Sequence, residues 1–233
     1  MFNEWLWLIF ALVNFSLILI IYRMFGKAGL FVWIGMSTVV ANIQVLKVVE
    51  LFGVTATLGN IMYGTIFLAT DILNEKYGRE EAKKAVWLGF FTLISMTVMM
   101  QIALMFIPSS DDTVQEALAA LFDLVPQVAA GSLVAYVISQ NFDVWLYQKI
   151  KSKFTSDQFL WLRNNGSTMI SQFVDTAVFC IIAFWGMFSL QIWVEIFLST
   201  YLIKFIVSAL DTPFIYAAKH MHNQTFNPNE QQV

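Results

Sequence analysis

Charge is what this sequence has least of. The 13 Lys and Arg and the 16 Asp and Glu together make up only 12% of its 233 residues, where a soluble domain carries about 25%. Hydrophobic residues make up 58%, more than a soluble chain of this length can keep from water. An ordinary soluble enzyme and a disordered regulator are both excluded. Basic excess is missing too: with a net charge of −3 there is no basic face for a nucleic acid, and no such partner is expected. Cysteine occurs once, as Cys180, which excludes an internal disulfide and any multi-cysteine metal site. The two histidines, His220 and His222, sit together at the end of the chain and read as surface residues. No metal and no cofactor is expected. A Walker A sequence is absent, since Asn60 and Ile61 follow Gly59 where Lys and Ser or Thr would stand. What remains is an integral membrane protein.

Long apolar runs supply the rest of the chain. A spanning helix needs about 20 mostly apolar residues, and seven runs qualify: Trp5–Tyr22, Leu30–Val49, Val54–Leu73, Ala85–Ile107, Val125–Tyr147, Ser167–Phe188 and Ile192–Ala217. No repeated alternating strand pattern suggests a β-barrel. The first run follows Glu4 rather than a basic stretch and has no small-residue cleavage site after it, so it reads as a helix and not a signal peptide. The expected fold class is an all-α integral membrane protein, a bundle of about seven transmembrane helices. Its organisation is an N-terminal helix with a basic loop (1–29), a six-helix core (30–218, spans two to seven) and a polar cytoplasmic tail (219–233), expected to be disordered.

The few charges are sorted by loop. Arg23 and Lys27 follow span one; Lys76, Arg79, Lys83 and Lys84 follow span three; Lys149, Lys151, Lys153 and Arg163 follow span five; Lys219 follows span seven. Glu4, Glu50, Asp111, Asp112, Glu116 and Asp123 occupy the alternate loops. Cytoplasmic loops are the basic ones. The expectation is a multi-pass plasma-membrane protein with its N-terminus outside and its C-terminus in the cytoplasm.

A second set of polar residues lies inside the runs, where charge is costly and functional by default. Span six carries Thr168, Gln172, Asp175 and Phe179 on one helical face; span seven carries Thr200, Lys204, Ser208 and Asp211; span three carries Asn60, Gly64, Phe67 and Asp71, leading to Asn74 and Glu75. Span five ends in Tyr136, Gln140, Asp143 and Tyr147, and span two offers Thr38 and Asn42. Asp175 and Lys204 lie near mid-depth and are either site residues or a structural ion pair. Gln172, Asn42 and Asn60 fit interhelical hydrogen bonding as well as ligand binding. Asp71 and Asp143 are closer to the cytoplasmic side, where capping a helix or pairing with a loop Lys is the alternative. Glu195 and Lys47, near the outer interface, read as snorkelling residues. Carboxylates, amides, one ammonium and many aromatics suit a planar, hydrogen-bonding ring, a sugar or an amino acid. A small polar solute is the expected partner alongside the lipid bilayer, and helical membrane proteins of this size often form a homodimer.

Four stretches carry a more specific pattern. FLATDILNEKYGREEA, Phe67 to Ala82, resembles the signature of the queuosine precursor transporter family, a vitamin-uptake-transporter-like family. Asn42 matches an Asn of that family's first core helix. ISQNFDVWLYQKIK (Ile138 to Lys151), LRNNGSTMISQFVDTAVFCIIAFWG (Leu162 to Gly186) and STYLIKFIVSALDTPFIY (Ser199 to Tyr216) resemble further family segments in the same order, so that the resemblance covers about residues 38–218. The extra first helix is a departure, since members can be written with six.

The resemblance implies import of 7-deazaguanine precursors of queuosine, in the cyano, aminomethyl or queuine form, through a mid-membrane polar cavity, and no enzymatic activity. It implies substrate-binding roles for Asn42, Asp71, Gln140, Gln172, Asp175 and Lys204. Asp175 or Asp71 would accept from the N1–H and amine edge, with Lys204, Gln172 or Asn42 at O6. Coupling or gating would fall to Asn74, Glu75, Asp143 and Asp211. The alternatives are a substrate-capture subunit served by a partner ATPase and a carrier for another planar or vitamin-like solute. An intramembrane aspartyl protease is disfavoured, because Asp71 follows Thr70 and Asp175 follows Val174 where paired Y-D and G-x-G-D motifs are required. A purely structural subunit would not need so many buried polar groups.

Overall fold

A computed structural model describes residues 2–153 and 160–225. Helix α1, Phe2–Gln44, has 43 residues, about 65 Å of helix and twice the ~30 Å hydrocarbon core. It is interrupted at Gly26, whose φ of 54° and ψ of −133° are open to glycine and strained for any other residue. The chain reverses there. A Cβ on Gly29 would lie 2.6 Å from the Ile21 carbonyl oxygen, whereas eight residues of continuous helix would separate the two by about 12 Å. The two arms correspond to the first two expected spans. Each buries one face: Trp7, Ala11, Phe15, Ile18 and Tyr22 on the first, and Leu30, Ile34, Ser37, Ala41 and Asn42 on the second. The opposite face of the first arm (Leu6, Ile9, Leu12, Val13, Ile20) is exposed and apolar, as lipid contact requires.

Between spans two and three the structure corrects the sequence reading. Helix was expected to Val49 and again from Val54. Instead α1 ends at Gln44, and a hairpin of β1 (Val48–Leu51) and β2 (Val54–Thr57) follows. Phe52 and Gly53 form its turn with φ of 53° and 77°, the pair of positive values that matches the strand twist of a two-residue hairpin. β-branched residues crowd the segment (Val48, Val49, Val54, Thr55, Thr57), and their stiff side chains favour strand over helix. The helices that follow are α2 (Asn60–Tyr77), α3 (Arg79–Leu104), α4 (Gln115–Phe122), α5 (Val125–Lys153), α6 (Leu160–Ala183) and α7 (Leu190–Thr225). Helix α4 lies in a stretch read as loop. Helix α7 runs through the beginning of the expected tail, and residues 226–233 lie outside the described residues.

Two compact units emerge. One comprises residues 1–53, 57–99 and 203–233; the other comprises 54–56 and 100–202. In the first, α1 packs along α2. Lys27 pairs with Glu81 at 2.7 Å and lies over the Tyr77 ring, so the basic loops after spans one and three share one end. At the other end Asn3 donates to the Glu50 carbonyl, and the Phe52 N–H donates to Glu4. In the second unit α5 and α6 run antiparallel. Gln127 donates to the Ile182 carbonyl oxygen, and a Cβ on Gly131 would lie 3.2 Å from Ala183.

The chain is a multi-pass, all-α membrane bundle with a small hairpin. Among the described residues four helical stretches are long and apolar enough to span: Phe2–Gln44, Glu80–Leu104, Gln115–Ser139 and Leu190–Val207. The stretch Met169–Ala183 is shorter.

Close approach in the first unit depends on Gly64, where an added Cβ would fall on the Val207 Cγ1. Gly64→Leu is expected to destabilise the protein by about 1–3 kcal/mol through overpacking, read as a lowered thermal midpoint in detergent. Thr55 ties β2 to α7 through its hydroxyl and its carbonyl. Thr55→Val should lower that midpoint by a few degrees, while Thr55→Ser restores it.

Candidate functional site

In the unit built on α1 and α2, Asn42 is wholly buried. Its Nδ2 donates to the Thr38 carbonyl at 2.8 Å, and Thr38 Oγ1 donates to the Ile34 carbonyl at 2.7 Å. Asn60 Nδ2 donates to the Thr57 carbonyl at 3.2 Å. These bonds satisfy backbone carbonyls near the end of α1 and the start of α2, which is the local, helix-shaping use of Asn and Thr. Two buried hydroxyls in the same unit, Ser37 Oγ and Thr57 Oγ1, have no hydrogen-bond partner among the described residues.

Asp71 is placed differently. The upper part of its stripe, Asn60 and Gly64, is buried, while Phe67, Asp71 and Asn74 form an exposed face of α2. Asp71 lies 11 residues beyond Asn60, about 16 Å along the helix. Asn42, at the Asn60 end, is therefore not brought together with Asp71. Lys204 is half-buried in this unit and carries interactions of its own. The side chains of Glu75 and Asp211 lie outside the described residues.

The second unit brings a carboxylate and an amide together. Ser139 on α5 donates through Oγ to Asp175 Oδ1 on α6 at 3.0 Å. Gln172 stands three residues before Asp175, a spacing that makes the two side chains neighbours on one face. Its Oε1 is buried and has no hydrogen-bond partner among the described residues. The buried Thr176 hydroxyl donates to the Gln172 carbonyl at 2.8 Å, which occupies the backbone and leaves the side-chain amide to other uses.

Aromatic rings gather on the neighbouring part of α7. Phe173 meets Phe197 edge-on at 5.2 Å and Tyr201 at 5.6 Å, and Trp193 stacks on Phe197 at 5.7 Å. Trp193 Nε1 donates to the Cys180 carbonyl at 2.9 Å, and the Tyr201 hydroxyl donates to the Met169 carbonyl at 3.3 Å. The α6–α7 contact is thus apolar in its body and hydrogen-bonded at its rims, the usual disposition of Trp and Tyr. The side chains of Gln140 and Asp143, expected on α5, lie outside the described residues.

Two features escaped the sequence reading. Ser139 was passed over for the stripe Tyr136–Gln140–Asp143. Yet Gly131, Ala135 and Ser139 recur every four residues and are all buried, and small residues at that spacing mark a close helix–helix face. Glu195, read as snorkelling, instead accepts from Thr55 Oγ1 at 2.7 Å, while Ser199 Oγ donates to the Thr55 carbonyl at 2.8 Å. A hairpin at this place was not expected, and with it came the partner for the glutamate. Among the described residues no cluster of His, Cys, Asp and Glu could hold a metal ion.

Comparisons with known proteins agree on a family. The family model described as "Putative vitamin uptake transporter" matches residues 57–218. A Bacillus subtilis (strain 168) protein named "Probable queuosine precursor transporter" is 57% identical over 95% of this chain and 96% of its own length. The "Queuosine precursor transporter" of Escherichia coli (strain K12) is 28% identical over 72% of this chain and 74% of its own. A Haemophilus influenzae protein named "Probable queuosine precursor transporter" is 27% identical over 68% and 66%. No solved structure matches the chain. With matched segments that run from the hairpin to α7 and a relative similar over almost the whole length, this chain belongs to the queuosine precursor transporter family, within the vitamin uptake transporters.

Proposed function

We propose that the protein imports 7-deazaguanine precursors of queuosine across the plasma membrane, as a carrier and not as an enzyme. The observation that carries the reading is the Asp175 carboxylate, held by Ser139 inside the helical bundle beside an unpartnered Gln172 oxygen. A carboxylate can accept two parallel N–H bonds, and a deazaguanine presents N1–H and an exocyclic amine on one edge. The names of the relatives point to the same class of solute. Asp175 is the residue assigned to that edge. Asn42, buried and engaged in its own unit, fits an architectural role better than contact with solute.

Asp71 has a separate part. An aspartate on an exposed face of a membrane helix is too costly to leave in lipid. The Phe67–Asp71–Asn74 face is therefore assigned to water or solute rather than to acyl chains. Lys204, first grouped with the substrate-binding residues, is here assigned with Asp211 and Glu75 to gating or coupling, and alternating access about a mid-membrane site is the expected mechanism. A substrate-capture subunit served by an ATPase is the second reading, and the "vitamin uptake transporter" description of the matching family is what keeps it in view.

Asp175→Asn and Asp71→Asn are each expected to reduce uptake about 10-fold or more at equal expression, as the loss of charge-assisted hydrogen bonds implies. Lys204→Met should impair uptake as well. Uptake of labelled precursor by cells that lack their own importer measures it. Wild-type uptake by all three variants would reject these assignments, and absence of saturable uptake by the unaltered protein in liposomes would reject the function.

The orientation follows from the basic loops. Cys180 is buried, so added cysteines can be labelled against it with an impermeant thiol reagent. Glu50→Cys and Asp111→Cys are expected to react from outside intact cells. Lys83→Cys and Lys153→Cys should react only after the membrane is opened. The reverse pattern would invert the topology.

A further inference from the structure

Two acceptors stand side by side on α6, and one of them is held in place from α5. Ser139 is 6% exposed, and its single hydroxyl proton has two acceptors within reach, Asp175 Oδ1 at 3.0 Å and the Tyr136 carbonyl at 3.3 Å. The carboxylate is closer, and a bond to a charged acceptor is the stronger. A carboxylate has about four lone-pair sites, so the bond from Ser139 orients Asp175 without exhausting it. The final torsion of an Asp side chain is broad, and the bond from Ser139 narrows it.

Gln172 supplies the other acceptor. Its Oε1 is buried with no partner among the described residues, a condition that costs free energy unless something donates to it. The pair therefore asks for a solute edge made of N–H groups alone. An edge of one ring N–H and one NH2 offers three hydrogens. Two go to Asp175 and the outer amine hydrogen goes to Gln172. A carbonyl or bare ring nitrogen at the same place would face two acceptors and be rejected.

We propose that Ser139 is a positioning residue for Asp175 and that Gln172 Oε1 accepts from the exocyclic amine, so that this face of α6 selects rings with a 2-amino group. The inference rests on the role of Asp175 given above and moves Gln172 from the carbonyl side of the ring to the amine side.

The test uses the full chain in liposomes and two probes, 7-cyano-7-deazaguanine and its analogue without the 2-amino group, compared by competition. In the unaltered protein, loss of the amine is expected to weaken binding about 10-fold or more. Gln172→Met should lower that ratio several-fold while binding of the analogue changes little, the remainder being the amine hydrogen held by Asp175. Ser139→Ala should lower the ratio, and Ser139→Thr, which keeps the hydroxyl, should retain it. A merely structural Ser139 would weaken both probes equally. An unchanged ratio in Gln172→Met and Ser139→Ala, or a ratio of one in the unaltered protein, overturns this inference and leaves import of deazaguanines standing. Binding of neither probe by the unaltered protein overturns both.

Discussion

Inside a bilayer no water is available to take up a spare hydrogen bond, and every polar group must find its partner in the protein. Most features of this chain follow from that constraint. Backbone amides close on themselves in helices. Thr38, Asn42, Asn60 and Thr176 turn their donors onto nearby backbone carbonyls. Gln127, on α5, reaches the carbonyls at the end of α6, where intrahelical partners run out. Against that background an oxygen without a partner among the described residues is informative, and the Gln172 amide carries one, three residues from the Asp175 carboxylate.

The same constraint explains why the polar residues divide into two kinds. Asn42 donates to a carbonyl within its own helix. Asp175 is bound from another helix, by the Ser139 hydroxyl. Asp71 is a third case, a charge on an uncovered helical face. Periodicity alone treats all three alike, as polar residues on stripes. Their different surroundings give them different chemistry.

The hairpin between spans two and three has a comparable origin. Val48 to Thr57 is apolar enough to be read as helix, but its β-branched residues and the Phe52–Gly53 turn favour paired strands. The Phe52 N–H at its turn donates to Glu4, and Thr55 on β2 is bonded to Glu195 and Ser199. A glutamate that would snorkel from a plain helix end is instead a structural acceptor. Gly26 and Gly64 show the complementary economy: each is a place where the backbone needs what a side chain would block.

The membrane class was legible in the sequence, because scarcity of charge and long apolar runs have no other physical outlet. So were most helices, the sorting of basic and acidic loops, and the ordered motifs of the family. The reversal at Gly26 was legible as a basic break between two spans, though not as a single interrupted helix. Tertiary structure decided what depends on which residues meet. Ser139 reaches Asp175 across 36 positions of sequence, and Thr55 reaches Glu195 across 140. Those contacts are set by the register of packed helices, through small residues such as Gly131 and Ala135. Helical spacing places a side chain on a face, and only packing determines what that face touches.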